Sequence, residues 1–177
     1  TDMKKNEVCK HNGKEPETHS NFFEEELKRM FQMAGALDEL YWDIEKEGIN
    51  THVIRSINES VIEYYEQLSW MFRNEEEVLF PEIEKLIPSP EIVNILRQEN
   101  GHILVVLESI KSMFNGSEEI RKEKDMLQAE MISLADLLKR NSHKKYELLL
   151  TEVNNKLPQE KINEMTIKLK ESFFAQA

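Results

Sequence analysis

Apolar residues recur along this chain in alternating steps of three and four, the spacing that lays a stripe down one face of an α-helix. Phe23, Leu27, Met30, Ala34, Leu37, Tyr41 and Ile44 form the first stripe and predict a helix over about 21–47. Asn21 followed three residues later by Glu24 has the pattern of a capping box, and Gly48 is a natural stop. A second stripe, Ile54, Ile57, Val61, Tyr64, Leu68, Met71 and Phe72, predicts a helix over 51–87 that Pro81 kinks or interrupts. Ser89 as N-cap and Pro90 at the first helical position open a third helix over 89–115. Its stripe is Ile92, Ile95, Leu96, Ile103, Val106, Ile110 and Met113. A fourth helix runs over 117–157 from Ser117, carrying Ile120, Leu127, Met131, Leu134, Leu138, Leu148, Leu149 and Val153. Pro158 introduces a short fifth helix over 159–174, with Ile162, Met165, Leu169 and Phe173 on one face. Connections of a few residues make successive helices antiparallel. The expected fold is all-α, an up-and-down antiparallel four-helix bundle over 20–177 with a short extra C-terminal helix. Residues 1–19 hold almost no large apolar side chains, so a flexible arm is expected there.

Composition narrows the partners. At 177 residues the chain has the length of one domain, and its net charge of -11 opposes contact with phosphates. Neither nucleic acid nor an anionic membrane is expected as a partner. No apolar run approaches the ~20 residues needed to span a bilayer. Cys9 is the only cysteine, which excludes an internal disulfide and points to a reducing, cytoplasmic compartment. Thr1 stands where a methionine would begin a chain, which leaves an upstream segment open. No nucleophile–base pair or glycine-rich phosphate loop is visible, so hydrolase and nucleotide chemistry find no support.

Three helices break their apolar stripes at similar depth. Glu75 and Glu76 fall between Phe72 and Leu79; Glu99, Asn100 and His102 between Leu96 and Ile103; Asn141, His143 and Lys145 between Leu138 and Leu148. Buried polar groups need partners, and these sets are placed to find one another. The segment Glu75-Glu76-Glu77-Val78-Leu79-Phe80-Pro81 resembles the EE-x-LFP segment of hemerythrin-like, or HHE cation-binding, domains. Glu99-Asn100-Gly101-His102-Ile103 resembles the EH-x-x-I segment of that family's third helix, and Leu137 to Pro158 aligns with its fourth. The resemblance covers about residues 21–158.

It implies a helical bundle around a non-haem di-iron centre that binds oxygen or nitric oxide, or handles iron. It also places the ligand positions. The first-helix histidine falls at Met30 or Phe31; the second-helix histidine falls at Phe72, with its glutamate partner kept as Glu76. The third-helix histidines fall at Leu96 and Asn100, the fourth-helix histidine at Asn141, and its acidic partner at Tyr146. Phenylalanine and leucine cannot coordinate iron and an amide oxygen binds it weakly, so only Glu76 survives from the set.

Two readings follow. In the first, the chain is a non-catalytic binding, sensory or scaffold domain without a cofactor, serving a protein or small-molecule partner; its oligomeric state is open. In the second, it is a non-haem iron protein for oxygen, nitric oxide or iron handling, with a site rebuilt from Glu76, Glu99, His102, His143 and Glu147. Glu99 and His102 have the spacing of a di-iron ExxH, but a second such pair is missing. His143 lies two residues past the family position, about 200° round the helix, and is expected to face water. Lys145 lies one turn after Asn141. It either snorkels outward or places its ammonium where a metal would sit, neutralising Glu76 ahead of Glu75.

The remaining features read more simply. Cys9, His11 and His19 allow a zinc clip on the arm, against a plain polar arm. The eight methionines read as adaptable core filling before a haem pocket. Trp42 and Trp70 read as partly buried packing residues, and Glu24-Glu25-Glu26 as a solvated first turn.

Overall fold

The computed structural model describes residues 20–88, 90–114 and 123–174. The expected arm with Cys9, His11 and His19, the Ser89 cap, and the expected fourth-helix start at Ser117 and Ile120 lie outside the described residues. All regular structure among the described residues is helical. α1 spans Ser20–Glu47, and α2, Thr51–Asn74, continues through a π turn, Glu75–Leu79, into α3, Phe80–Glu84. α4 spans Glu91–Met113. α5, Lys124–Leu148, continues through a second π turn, Leu149–Val153, into α6, Asn154–Lys156, and α7 is Gln159–Phe174.

Local chemistry sets the boundaries. Gly48 takes φ +72°, a left-handed conformation that costs glycine little, and returns its N–H to Ile44 O at 3.0 Å. Asn50, in extended backbone, then caps α2 by accepting from the Val53 N–H at 2.9 Å. Pro81 has no N–H to give, and its ring would crowd a carbonyl four residues back. The π turn absorbs that misfit: the Phe80 N–H reaches five residues back to Glu75 O. Two expected starts shift by one residue, since α1 begins at Ser20 rather than Asn21 and Pro90 caps α4 instead of opening it.

α1 packs against α2 and α5, and α4 packs against the same two helices, closing a four-membered ring. Each helix buries one stripe. Leu27, Met30, Ala34, Leu37 and Ile44 of α1 face Ile57, Val61 and Leu68 of α2, Ile103, Leu107 and Ile110 of α4, and Met131, Leu134 and Leu138 of α5 in one core. At ~25 cal/mol per Å² of apolar surface removed from water, that core is the main force holding the ring. α7 lies across the π turn at 75–79 and buries Ile162, Met165 and Leu169. Two residues turn further outward than expected: Ile95, from the third stripe, is exposed because Val93 and Leu96 take the inward side of α4, and Trp42, expected to be partly buried, is 58% exposed beside Tyr41.

Candidate functional site

The four-three rhythm of the buried stripes carries polar residues inward at four places. From α2 through the π turn into α3 the inward steps run Leu68, Phe72, Glu75, Leu79 and Ile83. On α4 they run Leu96, Asn100, Ile103 and Leu107, and on α5 Leu134, Leu138, Asn141, Lys145 and Leu148. Glu75, Asn100, Asn141 and Lys145 are therefore core residues by phase, and the packing of α2, α4 and α5 brings them together. The Lys145 side chain is 2% exposed and its Nζ lies 2.7 Å from Glu75 Oε1. That approach falls outside good hydrogen-bond angles, so the contact is chiefly Coulombic. Nζ also stands 4.5 Å above the Phe72 ring, a cation–π contact strengthened by the dry surroundings.

The second Glu75 oxygen accepts from Asn100 Nδ2 at 2.7 Å. Asn141 Nδ2 donates to Asn100 Oδ1 and to Glu99 Oε2, both at 3.3 Å. Glu99 in turn holds Lys144 at the bundle surface. A chain of polar contacts thus runs from buried Lys145 through Glu75, Asn100, Asn141 and Glu99 to Lys144. Burial pushes the Lys145 ammonium below its ordinary range, while Glu75, Glu99 and Glu26 pull it back up. Carboxylates from α1, the π turn after α2, and α4 thus converge on one ammonium from α5.

Glu76 is the main correction. It was expected ahead of Glu75 as the partner of Lys145, yet it is exposed and lies on Arg97, with Nε 2.8 Å from Oε2. Arg97 also holds Glu84 and covers the Phe80 ring, strapping α4 to α3 at the surface. The reason is phase: at about 100° per residue, position 75 sits midway between Met71 and Phe72, and position 76 lies well off the seam. The rebuilt metal set does not assemble. His102 is exposed, and His143 and Glu147 pair with each other at 3.3 Å on the surface. Glu99 is engaged by Asn141 and Lys144, away from Glu76. Among the described residues, no three histidine, cysteine or acidic side chains are grouped to hold a metal.

The matched family positions divide the same way. Phe72, Leu96, Asn100 and Asn141 are buried, but Phe31 and Tyr146 point outward at 46% and 42% exposure. Fully buried Met30 and Lys145 stand on the inward side of those two positions. Sequence reasoning also missed Glu26. It was expected in a solvated first turn, but it is largely buried and its carboxyl is raised above its ordinary value, by burial first. Its place in the inward step before Met30 was the available signal.

Beside the ion pair lies a pocket with an inner void of about 30 Å³, and about 410 Å³ of space once its open mouth is counted. Glu26, Asn74, Glu75 and Lys145 line it together with Leu27, Trp70, Met71, Leu79, Leu149 and Leu169, and its wall is mainly apolar. Asn74 Nδ2 is buried without a hydrogen-bond partner.

Neither the curated proteins nor the solved structures yield a match. A family model does: the hemerythrin HHE cation binding domain matches residues 18–153.

Proposed function

Because the chain belongs to the hemerythrin HHE cation-binding family, we propose that it is a member in which a lysine ammonium has taken over the charge of the metal and which works as a non-catalytic binding, sensory or scaffold domain. The observation that carries this reading is Lys145, buried and paired with Glu75 in the bundle interior. The residues here do not fit the family's iron. Glu75 is the one buried carboxylate of the polar chain, and its two oxygens are held by Lys145 and Asn100. The ammonium itself repels a divalent cation, and Phe72, Leu96 and Met30 offer carbon and thioether where nitrogen and oxygen donors are needed. An unpaired buried carboxylate would be costly, so an interior that keeps Glu75 without a metal needs a cation from the chain.

Reconstitution with ferrous iron under anaerobic conditions, followed by desalting and elemental analysis, tests the reading. Well below one iron per chain is expected. Stoichiometric iron that disappears in Glu99→Ala or His102→Ala would overturn it in favour of an iron-handling domain.

A further inference from the structure

α7 is fastened to the bundle differently from the four helices of the ring. The ring of α1, α2, α4 and α5 closes without it, and α7 lies across the π turn at 75–79. Its seam buries Ile162, Met165 and Leu169. Thr166, buried in the same seam, spends its hydroxyl inside its own helix, on Ile162 O at 2.9 Å. An ion pair crosses to α3, Lys161 Nζ to Glu82 Oε1, but it is long at 3.6 Å, and Lys161 also holds Glu164 of α7 at 3.0 Å. A helix of 16 residues is marginal alone in water, so the order of α7 comes from this thin, mainly apolar seam.

The link behind it is built as a hinge. Leu157 is extended, at φ -88° and ψ 138°, and its N–H closes the preceding ladder on Val153 O. Pro158 has no N–H to carry that ladder onward, and the ladder of α7 starts afresh with the Lys161 and Ile162 N–H groups on Pro158 O. Rotation about ψ of Leu157 can therefore swing α7 while both ladders stay intact. What α7 covers gives the motion a consequence. Its Leu169 lines the pocket together with Glu75, Leu79, Lys145 and Leu149, and the π turn against which it packs carries Glu75 itself. From this juxtaposition of a proline hinge, a thin seam and the buried pair behind it we infer that α7 is a lid. It releases as one unit while the ring stays folded, and its release takes away a wall of the pocket and opens the Lys145–Glu75 pair to solvent. The lid gives the interior a gated entrance, and the use of that entrance rests on the binding-domain reading.

Native-state hydrogen exchange of the full chain, run beside acetylation of Lys145 by acetic anhydride and read by peptide mass spectrometry, tests it. The α7 amides and Lys145 are expected to become accessible together, at least about tenfold more often than the core amides of α1 and α4, and with little dependence on urea, because opening a lid uncovers little surface. Met165→Ala, at the seam, should speed α7 exchange and Lys145 acetylation by one common factor, about thirtyfold or more. Ile57→Val, a mild change at a fully buried position of the ring, separates the lid from global unfolding. It should speed exchange in α1 and α4 about two- to tenfold and leave α7 exchange and Lys145 acetylation unchanged. Acceleration of α7 and Lys145 together with the ring in Ile57→Val would mean that α7 leaves only when the whole domain unfolds, and would overturn the lid. Early exchange of α7 with Lys145 acetylated no more often than the ring opens would overturn it as well, since the helix would then fray without uncovering the pair. Iron content, which tests the parent reading, is untouched by these outcomes.

Discussion

Lys145 and Glu75 lose their hydration together, and each is tolerable in the core only because the other is there. Lys145→Met should destabilise the bundle by about 3 kcal/mol, because it strands Glu75. Lys145→Met combined with Glu75→Gln should recover much of that loss in chemical denaturation. Additivity of the two changes within about 0.5 kcal/mol would mean that the residues do not interact. Glu76→Gln, on the exposed Arg97 contact, should stay within about 1 kcal/mol of the parent. Glu26 gives a pH signature. Its folded carboxyl lies above the ordinary 4.5, raised by burial and by Glu75 and Glu25 against the pull of Arg29 and Lys145. The folded state therefore binds more protons in the window above 4.5. The contribution of Glu26 is present below that value and is lost as pH rises through the raised one. Glu26→Gln should flatten this decline, read as melting temperature against pH. The choice of glutamate was legible from phase alone, since Leu68, Phe72, Glu75 and Leu79 step by four, three and four. The family-like segment drew attention to Glu76 instead, because a motif marks which residue a relative uses and not which one this helix turns inward.

At the scale of elements, caps and breakers were plain in the sequence and buried faces nearly so. Gly48 and Pro158 mark ends where the chain turns, and Pro81 marks a disturbance, although its form, a five-residue π turn running directly into a short α3, was not legible. A proline states only that one hydrogen bond cannot be made; neighbouring packing decides how the ladder re-forms. The outward turn of Trp42 and Ile95 was likewise hidden, because a stripe with several apolar neighbours does not say which of them is surplus. Asn50→Ala should cost about 1 kcal/mol through loss of the α2 cap. Met165→Ala, at the buried face of α7, should cost about 2–5 kcal/mol, which would show that this helix is docked and not an appendage. Both are measured by urea unfolding, and an unchanged midpoint for Met165→Ala would mean that α7 contributes nothing to the core.

For the whole molecule, the order of helices was legible because four long stripes with short links permit few arrangements. The polar interior was legible only as a coincidence of interruptions at one depth; which atoms meet depends on helix rotation, and periodicity fixes that to no better than a residue. A domain whose interior charge is supplied by its own chain should melt at the same temperature with and without a chelator, whereas a metal-dependent fold loses stability when its ion is taken away. A clear drop on adding chelator in differential scanning calorimetry would contradict the proposed function.

Lys144 and Lys145 are adjacent on α5, one held at the surface by Glu99 and the other by Glu75 in the core. Apolar stripes alone let a helix settle at several azimuths of similar energy. If α5 rolled by one residue, about 100°, Lys145 would swing toward water and Glu75 would lose its counter-charge. Lys144, on the neighbouring azimuth, could not restore both contacts. The polar ladder therefore acts as a key that admits α5 at one rotation. Helices that dock out of phase leave a charge exposed to hydrocarbon and come apart again, so the cost of burying these groups is returned as a single packing arrangement.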